Sequence, residues 1–345
     1  MILRRDDGAP PPVGGDGAEA STDTARDAAD AGRGAVGTDA DGRVHVSVLI
    51  ASMGRPSLAG TLRSVLAQDL PEGATLDIVV ADDSGEGDAR RIADAVSAER
   101  PGAPIRTVAA GGANIALARN ATLEAARGDF VAFLDDDERA DPDWLAGLLS
   151  TQRETGADAV FGPVRTVYAE GVPSWARRAG LYRKSFGAHG AALDTGSTCN
   201  ALVRRGAIGA LRFDPALGRT GGEDTDLFGR LRRAGGRLVA SARGAVEEDV
   251  PAERVSVRVL RRRAIRAGHS TARLLLGTAG EPGAATAGGR LAHAAASLAK
   301  SILAYALSAA AWPFRRDIAI RFALKAWLNR GKVAHALRRE APRIY

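Results

Sequence analysis

Four consecutive acidic residues, 135–138, follow directly on the apolar run Phe130–Leu134. An apolar run of this length that ends in charge is typical of a buried parallel strand. Carboxylates are not expected unpaired in such an interior, so they should lie where the strand leaves the sheet. Ligands of open α/β sheets bind at that edge. A divalent cation would relieve the repulsion among the carboxylates and would suit an anionic ligand such as a diphosphate.

A second interpretation of the acidic run is purely structural. Acidic residues after a strand often cap the next helix. The segment Asp141–Trp144, with a proline at its second position, has the composition of a helix start. The run by itself therefore leaves a metal site and a helix cap both open.

Strand and helix patterns alternate four times in the N-terminal half of the chain. This alternation predicts an α/β fold with a Rossmann-like, mostly parallel sheet, right-handed crossovers and helices on both faces. Because parallel strands end at one edge, Asp82 and Asp83 are expected to face the same ligand as the run after Phe130. The predicted strands of this half are Val44–Ile50, Leu76–Val80, Ile105–Val108 and Phe130–Leu134.

The length and cysteine content limit the class of protein. A chain of 345 residues suits one large domain with appendages, or two domains. Its single cysteine, Cys199, excludes an intramolecular disulfide and zinc-ribbon chemistry. Residues 1–43 are rich in Gly, Ala, Asp and Pro and are predicted to be a disordered tail. The tail has no apolar core of a secretory signal, so we expect a cytoplasmic protein.

The positive charge is concentrated in the C-terminal region. Residues 253–345 hold 18 Lys+Arg against 4 Asp+Glu, a net +14, whereas residues 1–252 hold 29 against 37, a net −8. This asymmetry argues against a nucleic-acid-binding fold and for a tail that meets something anionic. The predicted division is therefore a tail over 1–43, a main domain over 44–252 and a basic amphipathic helical extension over 253–345.

The extension has features of an interfacial membrane segment. Its apolar stretch Leu298–Phe314 is too short and too rich in alanine to predict a membrane span. Basic amphipathic helices that carry Trp312 and Trp327 fit contact with an anionic membrane surface. The alternative is that these helices pack on the main domain or on a second subunit.

Four motifs occur in order along the chain: VSVLIASMGRP, VVADDSGEGD, NIALARNATLEAARGDFVAFLDDDE and TGGEDTDLFGRLRRAG. Together they resemble the family 2 glycosyltransferases, and most closely the bacterial polysaccharide type that includes succinoglycan-pathway enzymes. The resemblance covers roughly residues 44–265 and implies a GT-A fold. It also implies a nucleotide-diphosphate-sugar donor, a divalent cation (Mg²⁺ or Mn²⁺) and inversion at the anomeric carbon.

The resemblance assigns the donor site to the first three motifs. Asp83 would accept the imide N–H of uracil, which favours a UDP-sugar, and Ala51 and Met53 would lie beside the base. Ser52 would add a hydroxyl contact. A guanidinium at Arg119 would suit the diphosphate or ribose. The alternatives are a strand-end turn at Asp83 and an exposed helical arginine.

The resemblance places the metal in the third motif. Asp137 is the expected metal ligand, with Asp135 or Asp136 contacting the ribose or a metal-bound water. Glu138 is expected only to start the following turn. Many relatives add a histidine after the last core strand. This chain has no histidine there, and Glu248 or Asp249 would have to replace it.

The fourth motif resembles the acceptor helix of the family. Asp224 matches the catalytic base, which must take the proton of the attacking hydroxyl. Glu223 and Asp226 would position the acceptor or the base. The alternative is an acidic first turn that caps the helix.

The sequence thus predicts an inverting, metal-dependent glycosyltransferase at the cytoplasmic membrane face that extends a surface glycan or a lipid-linked acceptor. Two other classes stay open. A nucleotidyltransferase also uses acidic pairs and metals, but the loop Ala51–Pro56 lacks the several glycines of that class. A non-catalytic scaffold that binds sugar nucleotides is the third possibility.

Overall fold

A computed structural model describes residues 43–277 and 284–338 of the chain. The predicted tail over 1–43 lies outside the described residues, apart from Arg43. The described strands are β1 (Val44–Ser52), β2 (Ala74–Asp82), β3 (Ile105–Ala109), β4 (Phe130–Phe133), β5 (Glu138–Ala140), β6 (Ala159–Phe161), β7 (Val164–Tyr168), β8 (Ala201–Arg204), β9 (Leu238–Ala240) and β10 (Val246–Val250). The described helices are α1 (Leu58–Leu66), α2 (Asp88–Glu99), α3 (Ile115–Ala125), α4 (Trp144–Thr155), α5 (Ser174–Ala179), α6 (Arg205–Ile208), α7 (Glu223–Arg233), α8 (Val257–Leu276), α9 (Ala287–Ala311) and α10 (Arg316–Ala336).

The central sheet has seven strands in the order β3-β2-β1-β4-β8-β6-β9. Six strands run the same way, and β8 runs antiparallel to its neighbours β4 and β6. The prediction of a mostly parallel α/β sheet is confirmed, with β8 as its one reversed strand. Strand β4 is buried along its whole length, as its continuous apolar sequence requires.

A smaller sheet of three strands, in the order β5-β10-β7, lies beside the acidic run. β10 is antiparallel to β5 and parallel to β7. Side chains of a strand alternate between its two faces. In β10 this alternation buries Val246, Glu248 and Val250 and leaves Asp249 exposed. A carboxylate therefore lies among apolar side chains on the buried face.

Helices α8 and α10 cross at two glycines. A Cβ atom added at Gly268 would lie 2.0 Å from Leu328 O, and one added at Gly331 would lie 2.1 Å from Ile265 O. The two backbones can therefore approach this closely because neither position carries a side chain. The predicted C-terminal helical extension is confirmed.

Helix α9 is longer than the apolar stretch predicted from the sequence, and the side chains that it buries are small or polar. It begins at Ala287 and spans 25 residues, so the predicted apolar stretch that starts at Leu298 is only its second part. Within the described residues it is the one helix long and apolar enough to cross a membrane. The side chains that it buries are Arg290, Ala294, Ser297, Ser301 and Ala304, and those that it exposes include Leu291, Leu298, Ile302 and Leu303.

Candidate functional site

The carboxyl ends of β1, β2 and β4 form one edge of the central sheet, and the predicted donor residues lie there. Ser52 Oγ donates a hydrogen bond of 2.7 Å to Asp136 Oδ2. The backbone N–H of Asp83 donates to Ser52 O at 2.9 Å. Ala51 and Met53 flank Ser52 and are partly buried. Three of the predicted donor residues, Ala51, Ser52 and Met53, therefore lie at the end of β1, and Asp83 and Asp136 reach it from the neighbouring strands β2 and β4.

Asp136 is a buried carboxyl at this edge. Burial raises its pKa to about 6, although Ser52 and Arg55 act in the opposite direction. Arg55 Nη1 lies 3.4 Å from both Asp136 Oδ1 and Asp137 Oδ2. The loop after β1 thus supplies a hydroxyl and a guanidinium to the acidic run.

Asp82 and Asp83 have different environments. Asp82 accepts hydrogen bonds from Ser84 N at 3.0 Å and Arg90 N at 2.9 Å, so its carboxylate holds the turn into α2. Asp83 Oδ2 accepts a bond from Asn114 N at 2.9 Å. Its Oδ1 atom is buried and has no hydrogen-bond partner within the described residues. Burial raises the pKa of Asp83. Of the pair, Asp83 is the one that retains acceptor capacity for a ligand.

Arg119 joins the donor side of the site to the acceptor helix. Its Nη2 atom lies 3.1 Å from Asp135 Oδ1, and its Nη1 atom donates to Glu223 Oε1. The side chain is 11% exposed and lies over the ring of Phe213. The interpretation of Arg119 as an exposed helical arginine is therefore wrong. One buried guanidinium links the end of β4 to the first residue of α7.

The first turn of α7 holds Glu223, Asp224 and Asp226 in three different settings. Burial raises the pKa of Glu223, with Arg119 opposing the shift. Asp224 Oδ1 accepts a bond of 2.7 Å from Thr225 N, and no Lys or Arg of the described chain forms an ion pair with it. Asp226 pairs with Arg230 at 2.9 Å, and Arg273 Nε lies 4.0 Å from it. Within the described residues Asp224 is therefore the one carboxylate of this turn that has no paired cation.

A tight contact with α8 fixes where α7 begins. Gly222, the residue before α7, has a φ of +92°. A Cβ atom added to it would lie 2.2 Å from Ser270 Oγ. Both the backbone conformation and the space therefore require glycine. The position of Asp224 depends on this contact.

Asp137 is paired with an arginine that sequence reasoning did not include. Arg254 Nη2 donates to Asp137 Oδ2, and its Nη1 donates to Glu248 Oε1 at 2.9 Å. Within the described residues Glu248 Oε2 is buried and accepts no hydrogen bond. In residues 43–277 and 284–338 no group of three or more His, Cys, Asp or Glu side chains is close enough to hold a metal ion. Asp137 and Glu248 thus share Arg254, and each lies beside a further cation, Arg55 or Lys184.

The structure gives defined positions to Glu138, which was expected to be a turn residue, and to Asp249, whose role was left undecided. Glu138, expected to be no more than the start of a turn, opens β5 and is fully buried. It accepts a bond of 3.0 Å from Asp135 N, and burial raises its pKa well above the ordinary value for Glu. Asp249, one of the two replacements considered for the family's histidine, points outward and pairs with Arg139. Glu248 is the residue that faces Asp137 through Arg254.

The sequence did not predict that Arg254 and Lys184 lie in the site. Lys184 Nζ lies 3.7 Å from Glu248 Oε2. Arg254 is separated from Asp137 by more than a hundred residues, and no local pattern connects them. The alternation of apolar and polar residues in β10 could have predicted that Glu248 is buried, because Glu248 lies on the same face of the strand as Val246 and Val250.

Sequence comparison identifies the family of this site. Residues 47–212 match the family model described as glycosyl transferase family 2. The chain is 42% identical over 234 residues to the succinoglycan biosynthesis protein ExoM of Rhizobium meliloti (strain 1021). That alignment covers 67% of this chain and 75% of ExoM.

A solved mannosyltransferase structure shares the fold. The mannosyltransferase PcManGT from Pyrobaculum calidifontis, solved in complex with GDP-Man and Mn²⁺, aligns with a TM-score of 0.60 and 18% identity, over 86% of this chain and 88% of that one. S. aureus TarS 1-349, solved with UDP-GlcNAc, aligns with a TM-score of 0.49 and 16% identity, over 87% and 93% of the two chains. The chain belongs to glycosyltransferase family 2, and it is a glycosyltransferase of polysaccharide synthesis with a GT-A fold.

Proposed function

We propose that the protein transfers a sugar from a nucleotide-diphosphate donor, preferably a UDP-sugar, to a hydroxyl of a glycan or a lipid-linked acceptor. The reaction inverts the anomeric carbon and uses a divalent cation, Mg²⁺ or Mn²⁺. The observation that carries this proposal is that the Asp224 carboxylate is partly exposed and pairs with no cation of the described chain. Glu223 and Asp135, on either side of the site, instead share Arg119.

Asp224 is the proposed catalytic base of a single displacement. The acceptor oxygen forms a bond to the anomeric carbon while the bond from that carbon to the diphosphate oxygen breaks. The hydroxyl proton passes to the Asp224 carboxylate, and the diphosphate leaves with the electron pair. A carboxylate that forms no ion pair within the described residues is available to accept a hydrogen bond from the attacking hydroxyl. Glu223 and Asp226 position the acceptor in this proposal.

The donor side of the proposal rests on Asp83 and Arg119. Asp83 Oδ1 is a buried acceptor without a partner in the described chain, which suits the imide N–H of uracil. Ala51, Ser52 and Met53 form the adjacent wall. A nucleotide sugar is named in the complexes of PcManGT with GDP-Man and of TarS with UDP-GlcNAc.

The divalent cation of this proposal would be held jointly by the protein and the donor diphosphate, because residues 43–277 and 284–338 contain no group of three metal-ligating side chains. Asp137 and Glu248 offer carboxylate oxygens, the ligands that Mg²⁺ and Mn²⁺ prefer. Asp137 would be the main ligand, and Asp135 and Asp136 would contact the donor. When bound, such a cation neutralises charge on the leaving diphosphate.

Location at the inner face of the cell membrane is the last part of the proposal. Helix α9 exposes large apolar side chains, with Ile302 61% exposed, and is followed by Phe314 at 84%. Arg315 and Arg316 are exposed beside them. An apolar surface next to arginines suits an anionic membrane that carries a lipid-linked acceptor.

The decisive experiment measures sugar transfer by the Asp224→Asn variant. We expect kcat to fall by about 10²- to 10⁴-fold while UDP binding is retained, because the variant removes a proton acceptor and leaves the donor groove intact. Asp94→Asn is the matched control, since Asp94 is an exposed carboxylate of α2. Full activity of Asp224→Asn would exclude the base assignment. A product with retained anomeric configuration would exclude the single displacement.

A donor panel completes the test. Wild-type protein is incubated with UDP-, GDP- and dTDP-sugars and with Mn²⁺, Mg²⁺ or EDTA. We expect transfer from a UDP-sugar that EDTA abolishes. Transfer from a GDP-sugar alone would contradict the proposed preference, and an equal rate in EDTA would contradict the metal requirement.

A further inference from the structure

Two partly buried arginines of α8, Arg263 and Arg266, lie close to the start of α7. They are three positions apart, so their side chains share one face of the helix. Ser270, one turn further along this face, donates from Oγ to Arg266 O at 3.3 Å, and it is the residue against which Gly222 packs. The two arginines therefore lie on the face of α8 that meets the first turn of α7, where Asp224 lies.

Tyr182 connects the same arginines to the acidic run. The guanidinium of Arg263 lies over the Tyr182 ring, 4.4 Å from its centroid. The Tyr182 hydroxyl donates to Arg254 O at 2.6 Å, and the Arg254 side chain pairs with Asp137. These contacts and the face of α8 together lead from the end of β4 to the helix that carries the proposed base.

The backbone of Tyr182 has an unfavourable conformation. Its φ is +70°, a left-handed value that a bulky side chain rarely adopts. Residues strained in this way persist where surrounding contacts fix them, and they cluster at binding sites. The ring contact with Arg263 and the hydrogen bond to Arg254 O are such contacts. The strained conformation therefore points to a role of Tyr182 in placing Arg263.

No carboxylate of the described residues forms an ion pair with Arg263 or Arg266. In the same segment, Arg254 before α8 and Arg273 near its end both pair with carboxylates. Burial and the neighbouring arginines lower the pKa of Arg266, while Glu223 acts in the opposite direction. Two adjacent guanidiniums that are partly removed from water favour a ligand that brings negative charge.

The chemistry of this ligand follows from the two side chains. A guanidinium offers a planar fork of N–H donors that matches the oxygens of a phosphate or a carboxylate. Two guanidiniums side by side match a phosphoryl group with about two negative charges better than a single carboxylate. The proposed nucleotide site lies at the ends of β1 and β2, whereas α8 packs on the helix of the proposed base. The acceptor is therefore the substrate that these arginines would meet.

We propose that Arg263 and Arg266 bind a phosphoryl group of the acceptor, and that Tyr182 is a positioning residue that holds the guanidinium of Arg263. This inference rests on the proposed transfer to a lipid-linked acceptor. It specifies that a phosphate or diphosphate joins the lipid to the glycan. The arginines hold this group while the acceptor hydroxyl lies at Asp224.

The test measures binding of hexyl diphosphate by titration calorimetry, with saturating UDP and Mg²⁺ present so that the donor groove is filled. We expect Arg263→Gln and Arg266→Gln each to bind it at least about tenfold more weakly than wild type, because each loses charge-assisted hydrogen bonds. Arg261→Gln is the matched control and should bind as wild type does, since Arg261 is an exposed arginine on another face of α8. Thermal unfolding verifies that each variant is folded.

Two further ligands distinguish the source of the negative charge. Hexanoate should bind at least about tenfold more weakly than hexyl diphosphate, because it carries one negative charge and not two. Inorganic diphosphate should bind no more tightly than hexyl diphosphate, since a lipid-linked acceptor presents an esterified group. Equal binding of hexanoate would contradict a phosphoryl site. Binding of inorganic diphosphate alone would show a site for a free anion and would overturn the acceptor assignment.

Two variants of Tyr182 test its positioning role. Tyr182→Phe keeps the ring over Arg263 and should bind hexyl diphosphate within about twofold of wild type, whereas Tyr182→Leu removes the ring and should bind it several-fold more weakly. Wild-type affinity in Tyr182→Leu would contradict this role.

The affinity for UDP separates this inference from the proposed function. It should be unchanged in Arg263→Gln and Arg266→Gln, and an equal loss of UDP and hexyl diphosphate affinity would assign the arginines to the donor. Wild-type affinity for hexyl diphosphate in the double variant, or no binding by wild type, also overturns the phosphoryl site while leaving transfer intact. Absence of sugar transfer from every donor, with binding of hexyl diphosphate that depends on both arginines, contradicts the proposed function and supports the site.

Discussion

The guanidinium of Arg119 donates to the carboxylate of Glu223 across 104 positions of the chain. This contact joins α3 to the first residue of α7, and the second ion pair of Arg119, with Asp135, extends the connection to the end of β4. Since Asp224 follows Glu223 directly, the position of the proposed base depends on this buried pair.

We predict that Arg119 and Glu223 are strongly coupled in stability. Arg119→Met leaves the buried Glu223 and the partly exposed Asp135 without their cation and should lower the free energy of unfolding by about 3–5 kcal/mol, most of it from Glu223. Glu223→Gln should cost less, because Arg119 keeps Asp135. A double-mutant cycle by urea unfolding should give a coupling energy of at least about 1 kcal/mol. Additive effects of the two substitutions would contradict the pairing.

A second prediction concerns Gly222, which combines a left-handed backbone with a close contact. Gly222→Ala brings a methyl group to 2.2 Å from Ser270 Oγ at a φ of +92°. Gly73 has a φ of +74° but open space around it, so Gly73→Ala measures the backbone cost alone, about 1–2 kcal/mol.

Gly222→Ala should therefore cost about 1–3 kcal/mol more than Gly73→Ala, because overpacking adds to the backbone strain. It should also lower kcat, since α7 carries Asp224, while Gly73→Ala should leave kcat unchanged. Chemical unfolding and transfer assays measure both effects. Equal stability losses in the two variants would show that the contact with α8 is not tight.

A third prediction concerns acid stability of the C-terminal helices. Burial and the nearby positive groups Arg290, His269, Arg273 and His293 lower the pKa of His335 to about 4. The unfolded chain binds this proton at a pKa near 6.5 and the folded chain does not, so stability falls as the pH drops from about 6.5 to about 4.

After allowance for partial exposure, we expect His335 to account for about 1–2 kcal/mol of this loss. Urea unfolding of wild type and of His335→Gln at pH 7 and pH 4.5 provides the measurement. The variant should lose less stability on acidification than wild type does. Equal losses of stability in the two proteins would show that unfolding does not change the protonation of His335.

The sequence predicted the part of the site that follows from strand order. Asp83, Asp135 and Asp136 each follow a buried strand, and parallel strands must end at one edge. The GT-A fold and the family assignment are confirmed, whereas the roles of these residues and the boundaries at 43 and 252 stay predictions.

The contacts that complete the site depend on long-range packing and could not be predicted. Glu138 was interpreted as a turn residue because the strand that it opens, β5, is only three residues long. The partner of β5 is β10, which lies more than a hundred positions away, so no local pattern indicates the pairing. Arg254 belongs to the basic C-terminal region by composition, yet it binds Asp137 inside the site. Charge patterning describes a region, but it does not say which arginine turns inward.

The orientation of α9 supplies the last prediction, which concerns membrane binding. A helix of a soluble protein buries its apolar side, but α9 buries Arg290, Ser297 and Ser301 and exposes leucines and isoleucine. We expect the wild-type protein to float with vesicles that contain anionic lipid and to bind neutral vesicles less. Removing two exposed side chains, by Leu298→Gln with Ile302→Gln, should weaken binding at least about tenfold, because each side chain contributes roughly 1.5–3 kcal/mol on burial.

Val167→Gln is the matched control for this experiment, since Val167 is an exposed apolar residue of β7, remote in sequence from α9. It should float as wild type does. Equal flotation of the double variant and wild type would contradict membrane contact through α9. If the double variant instead changes a dimer into a monomer in sedimentation, the exposed face contacts a second copy of the chain, because the same apolar surface would then be buried between subunits and not in lipid.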